Sequence, residues 1–233
     1  MERIFEENGL KGVEWNGKKM FPPMFEDVED VNEYSFLGVF VSGTMGGKKG
    51  VMAYDYMSED MGISRIAQVV PFEYDDVFVV QEFSNFIVVT KNGKRGLYNI
   101  GGKKLLECEY DNIIPNIIPG EYLEELLGEY YSHSFALTEK DGKHGLVFWS
   151  YYNKDDNKVP DYFVVEPQFD NISQIWHNHD ESDQHFRFQA DLGDDHYHIN
   201  DKAKVTLKGK KQSCSFIKGC FLEQTPPPTY MLL

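Results

Sequence analysis

The sequence predicts an all-β fold, an array of about four β-hairpin or three-stranded meander repeats, and three recurring patterns predict it. The first is a glycine-flanked basic turn, Gly47-Lys48-Lys49-Gly50-Val51, Gly93-Lys94-Arg95-Gly96-Leu97 and Gly142-Lys143-His144-Gly145-Leu146, with a looser copy at Asn8-Gly9-Leu10-Lys11-Gly12-Val13. The second is an aromatic residue, an acid, Asp or Asn, then a β-branched residue. It reads Phe25-Glu26-Asp27-Val28, Tyr74-Asp75-Asp76-Val77, Tyr110-Asp111-Asn112-Ile113 and Phe169-Asp170-Asn171-Ile172. The third is a short apolar run before the next turn, as in Val39-Phe40-Val41 and Phe86-Ile87-Val88-Val89. The patterns keep one order, and Gly12, Gly50, Gly96 and Gly145 are 38, 46 and 49 residues apart. Self-similarity at such a period marks a repeat architecture, with length differences taken up in loops.

Taken in order, the glycine turn comes first. A phosphate-binding glycine loop occurs once and feeds a helix N-terminus. This turn occurs about four times and feeds strand residues, so it reads as a hairpin. Asn92-Gly93 and Asp141-Gly142 tolerate the positive φ that a two-residue hairpin demands. The glycine after the basic pair is placed where a Cβ would strike the facing strand, and the lysines are read as solvated turn charges. Each unit is given three short strands: one after the glycine, one before the aromatic–acid motif and one before the next turn. The units span about 8–45, 46–91, 92–140 and 141–200. A terminal hairpin follows at 197–222, with arms Tyr197–Leu207 and Ser213–Leu222, closing a single domain over 1–222. Residues 223–233, with Pro226, Pro227 and Pro228, form an extended Pro-rich tail. The array is expected as an open arc or a closed propeller-like or barrel-like ring. In the third unit Gly120–Leu127 follows Pro115 and Pro119 and spaces its apolar residues on one face, which predicts a short inserted helix.

These three patterns resemble the WG-repeat family of bacterial proteins, over about residues 8 to 200. Its units run from a basic residue through Trp and Gly into a hairpin, then an apolar-Pro-x-Tyr-Asp-x-Ile segment. Here Lys11, Lys49, Arg95 and His144 stand at the Trp position. The resemblance implies a β-rich repeat scaffold and no set of catalytic residues.

Lys plus Arg is 23 and Asp plus Glu is 38, a formal charge of −15. Such a chain repels nucleic acid and anionic membrane at long range and is drawn to a basic protein surface. Three cysteines, Cys108, Cys214 and Cys220, match neither a zinc ribbon nor a redox pair and suit a reducing compartment. The charged opening MERIFEENGL has no apolar leader, and no apolar run approaches membrane-spanning length. The expectation is a soluble, cytoplasmic protein.

Among chemistry-bearing residues, His177, His179, His185, His196 and His198 cluster late, near Asp180, Asp183, Asp194 and Asp195. His196 and His198 share a strand face at a spacing that suits zinc. A polar loop and a solvated strand face explain the same residues, and no metal or other cofactor is assigned. The paired acids Glu26-Asp27 and Asp75-Asp76 are adjacent on the chain, so they cap turns rather than form a catalytic dyad. Cys108 lies inside a repeat motif and reads as a small core residue. The best binding candidates are two polar insertions of the fourth unit. Tyr151, Tyr152 and Trp176 supply rigid anchors there, and Asp155, Asp156, Asp180, Glu181 and Asp183 supply steering charge. The functional expectation is a non-enzymatic protein-binding module, an immunity protein that neutralises a basic nuclease toxin of a bacterial competition system. The alternatives are a metal-dependent hydrolase using the late His/Asp cluster and a glycan- or small-ligand-binding module.

Overall fold

The computed structural model describes residues 2–34, 38–55, 65–79, 86–117, 133–150, 162–174, 186–200 and 204–210. These residues form strands without a helix, arranged as five antiparallel sheets in which each strand pairs with its neighbour in sequence. The first sheet holds β1 (Glu2–Glu7), β2 (Leu10–Trp15) and β3 (Lys18–Phe25); the second holds β4 (Asp27–Tyr34), β5 (Gly38–Met45), β6 (Lys48–Asp55) and β7 (Arg65–Tyr74). The third holds β8 (Asp76–Val79), β9 (Phe86–Lys91), β10 (Lys94–Asn99) and β11 (Lys104–Tyr110). The fourth holds β12 (Asn112–Ile117), β13 (His133–Lys140), β14 (Lys143–Ser150) and β15 (Tyr162–Phe169). The fifth holds β16 (Asn171–Gln174), β17 (Phe186–Leu192), β18 (Asp195–Asn200) and β19 (Val205–Lys210).

The glycine turns are hairpins, as the sequence predicts. Asn92 and Gly93 take φ of 54° and 74°, and Asp141 and Gly142 take 53° and 70°. Both central residues of each pair are left-handed, which matches the twist of the flanking strands. The second glycine of each motif is fixed by a different constraint. A Cβ on Gly12, Gly50 or Gly96 would lie 2.8, 2.8 and 2.9 Å from the carbonyl oxygens of Phe21, Val70 and Leu106. On Gly145 it would meet the Val165 carbonyl and sit 2.7 Å from the Pro167 nitrogen. The approach is close because the outer strand bulges there. Lys11 pairs with Phe25 and Val13 with Phe21, so β3 advances further than β2 across the same gap. The same slip recurs between Lys49/Tyr74 and Val51/Val70, Arg95/Tyr110 and Leu97/Leu106, and His144/Phe169 and Leu146/Val165. Pro22, Pro23, Pro71 and Pro167 all lie in these bulges, where the ladder needs no N–H.

Buried side chains fill each border between consecutive sheets. Val13, Phe21 and Phe25 of the first sheet pack with Val39, Val41 and Tyr54 of the second. Phe40, Val51 and Tyr74 pack with Ile87, Val89 and Tyr98 of the third. Phe86, Val88 and Leu97 meet Ile113, Ala136 and Val147 of the fourth, and Phe135, Leu146 and Phe169 meet Ile172, Phe188 and Ile199 of the fifth. Along β5, Val39 and Val41 face one core and Phe40 the other, so an interior sheet is buried on both faces and its strands read as unbroken apolar runs. The aromatic residue of the repeated motif, Phe25, Tyr74, Tyr110 or Phe169, is buried in every copy. The Tyr74 and Tyr98 hydroxyls bond to each other at 2.7 Å inside the second core.

Several expectations change. The units hold four strands rather than three, and four sequence units correspond to five sheets. The sequence repeat starts at the glycine turn, but the sheet border falls at the aromatic–acid bend, so each unit is split between two sheets. The strands form five separate sheets, not one continuous barrel. The arm predicted as Tyr197–Leu207 is itself a hairpin, β18 against β19. The expected helix at Gly120–Leu127, the second arm at Ser213–Leu222 and the Pro-rich tail lie outside the described residues.

Two substitutions test this account. Gly145→Ala forces a methyl against two backbone groups and is expected to cost about 1–3 kcal/mol in urea unfolding. Tyr74→Phe strands the Tyr98 hydroxyl in the core and is expected to cost about 1–3 kcal/mol, whereas the double change Tyr74→Phe/Tyr98→Phe costs less than the sum of the two singles.

Candidate functional site

At each sheet border the chain passes through a one-residue bend occupied by the motif acid: Glu26, Asp75, Asp111 or Asp170. The amide of that residue donates to Thr44, Thr90, Glu139 or Asp191, always at 2.8 Å. The carboxylates of Asp75, Asp111 and Asp170 each reach two hairpins at once. Asp75 accepts from Lys48 Nζ of the preceding sheet at 2.6 Å and from the Asn92 amide of the following one at 2.7 Å. Asp111 joins Lys94 to the Asp141 amide, the latter at 2.8 Å, and Asp170 joins Lys143 to the Gly193 amide at 2.7 Å. Glu26, one methylene longer, accepts from the Gly46 and Gly47 amides at 2.8 and 3.0 Å. A second row lies beside the first: Lys11 pairs with Asp27 at 2.5 Å, Lys49 with Asp76 at 2.9 Å and with Glu29 at 3.0 Å, and Arg95 donates to Asn112 at 2.6 Å. The lysines read as solvated turn charges are therefore ion-paired, each with the bend that follows it. The reading of the acids as turn caps holds, and each also ties two sheets together.

The antiparallel meander places every glycine turn and acid bend at one end of the sheets. The other end receives the remaining connections, including residues 56–64, 80–85, 118–132, 151–161 and 175–185. Tyr151, Tyr152, Asp155, Asp156, Trp176, Asp180, Glu181 and Asp183 belong to two of these connections and lie outside the described residues. Their flanking strands end at Ser150 and Tyr162 in the fourth sheet and at Gln174 and Phe186 in the fifth.

His196 and His198 stand on β18 with ring centroids 5.6 Å apart, and His196 Nδ1 is 3.0 Å from Asp191 Oδ1 on the neighbouring strand. Among the described residues no three His, Cys, Asp or Glu side chains converge as a metal site would require; His177, His179 and His185 lie outside them. Cys108 is half-buried rather than fully in the core. It covers Gly96, its Sγ 2.9 Å from where a Cβ there would stand, and burial raises its thiol pKa. Sequence reasoning passed over an open cleft of about 430 Å³ between the third and fourth sheets. Its rim carries Phe78 on β8 and Ile114 on β12, 59% and 51% exposed. The signal was parity: Val77 and Ile113 are the buried β-branched residues of the motif, so the next residue on each strand must face outward.

No protein-family model matches the chain, and a search of the curated proteins finds no match to it. Among the described residues no helix is long and apolar enough to cross a membrane.

The Lys48 ammonium, and after it the Asn92 amide, holds the Asp75 carboxyl below the usual carboxylate range. Lys94 and the Asp141 amide do the same for Asp111, and Lys11 does so for Asp27. These carboxyls bind protons more weakly folded than unfolded. Their contribution is thus complete above the unfolded value, about 4, and lost as pH falls through the lower folded values. The variant Asp75→Asn/Asp111→Asn is expected to melt at a lower temperature at pH 7. Its thermal stability should also fall less steeply than that of the unaltered protein between about pH 4 and 2.

Proposed function

We propose that this chain is a non-catalytic, WG-repeat-like scaffold that binds a basic protein, and that it serves as an immunity protein neutralising a nuclease toxin domain of a bacterial competition system. One observation carries the reading: acidic residues are concentrated in the five long connections between strands. Those connections hold thirteen acidic residues against two basic ones, a surplus of eleven of the chain's fifteen net negative charges. Charge of one sign gathered on loops above a rigid scaffold steers an oppositely charged partner and raises its association rate. Tyr151, Tyr152 and Trp176 lie in the same connections and supply the aromatic anchors that such interfaces use. Phe78 and Ile114 add exposed apolar area.

The test is co-expression with the toxin domain encoded beside this chain, followed by a nuclease assay on the purified pair. A stable complex with the nuclease silenced is the expected result. Replacing Asp155, Asp156, Asp180, Glu181 and Asp183 together by Lys is expected to slow association about tenfold or more at low ionic strength, with less loss at high salt. Unhindered nuclease activity at stoichiometric excess removes the immunity role.

A further inference from the structure

Arg95 lacks the counter-ion that its equivalents at the earlier sheet borders have. At the first border Lys11 pairs with Asp27 at 2.5 Å, and at the second Lys49 pairs with Asp76 at 2.9 Å and with Glu29 at 3.0 Å. Arg95 holds the same place in the third glycine turn. The amide Asn112 stands there instead of Asp27 or Asp76, and Phe78 holds the place in its motif that Glu29 holds one unit earlier. Arg95 Nη1 donates to Asn112 Oδ1 at 2.6 Å and to the Ile113 carbonyl at 3.4 Å. Among the described residues no carboxylate forms an ion pair with Arg95, and its Nε and Nη2 donors make no hydrogen bond. Asp76 lines the same cleft but is held by Lys49. The planar Nε–Nη2 side of a guanidinium matches the two oxygens of a carboxylate.

The surroundings of this cation are apolar. Phe78 and Val88 are cross-strand partners on β8 and β9, so they share the face turned toward the fourth sheet. Phe78 and Ile114 are 59% and 51% exposed at the rim. The cleft of about 430 Å³ is of a size that holds a small molecule. It is poorly made for an added strand. The Ile113 carbonyl faces the cleft, so the edge of β12 is formed there by Ile113 and, two residues on, by Pro115, which has no N–H to offer. A guanidinium without a counter-ion beside exposed apolar side chains complements a ligand that joins both characters. We propose that the cleft between the third and fourth sheets binds a small organic acid, its carboxylate on the Arg95 guanidinium and its apolar body between Phe78 and Ile114.

Titration of the isotope-labelled full chain with hydrocinnamate, read by NMR, tests this. Saturable shifts are expected at the Phe78, Thr90, Arg95 and Ile114 amides, while Tyr197 in the fifth sheet is unmoved. The neutral analogue hydrocinnamide is expected to bind about tenfold more weakly. Arg95→Gln is expected to abolish that preference, so that acid and amide bind alike, and Phe78→Ser to weaken the acid about fivefold or more. Both residues are exposed, and unmoved amides in the other sheets show that each variant is folded. Equal affinity for acid and amide in the unaltered protein overturns the proposal, as does a preference that survives Arg95→Gln. The absence of a saturable shift at about 10 mM acid overturns it too. A dipeptide with blocked ends, acetyl-phenylalanyl-aspartyl amide, binding about tenfold more tightly than hydrocinnamate assigns the cleft to a protein segment and overturns it equally. None of these readouts depends on a toxin partner.

Discussion

The carboxylate at each sheet border is the contact on which the rest of the molecule's geometry depends. Burial of apolar surface holds neighbouring sheets together, but that attraction is non-directional and leaves them free to slide. The bend acid removes this freedom. Its amide is fixed to the hairpin-entering strand of the next sheet; the Asp75, Asp111 and Asp170 carboxylates bridge hairpins of two sheets, and that of Glu26 holds the turn of the next sheet. The residue before it is the buried aromatic, so anchor and clamp are consecutive: Phe25-Glu26, Tyr74-Asp75, Tyr110-Asp111 and Phe169-Asp170. Exposed ion pairs contribute little to stability by themselves. Here their value is positional, since a directional contact beside each core sets the phase of one sheet on the next.

What could be read from sequence was local. The hairpins at Asn92-Gly93 and Asp141-Gly142 follow from two adjacent residues, and the steric role of Gly50 or Gly96 from a glycine followed by strand residues. The lysine partners could not be read this way, because Lys48 and Asp75 are separated by 27 residues and meet only through a complete β6–β7 pair. The strand count failed for a related reason. The glycine turn is the most conspicuous mark in each unit, yet the chain changes sheets at the less conspicuous acid bend. A unit drawn from turn to turn therefore mixes halves of two sheets.

The candidate site was legible in kind more than in place. Acidic and aromatic residues between repeat motifs stand out by composition, and the strands at Ser150, Tyr162, Gln174 and Phe186 show from which end of the sheets they depart. Phe78 and Ile114 were legible by strand parity, an inference that requires knowing first that Val77 and Ile113 point inward.

The bulges opposite the glycines have a consequence beyond the seating of a backbone. Stacked small sheets expose many strand rims, and a straight rim with free donors is a template for self-association into aggregates. Pro22 and Pro23 on β3, Pro71 on β7 and Pro167 on β15 remove donors from the outermost strands, where the bulge already bends the rim out of line. The residues that let the chain pass over a glycine thus also keep those rims from recruiting another molecule, and the colloidal behaviour of the protein is written into the same few positions as its fold.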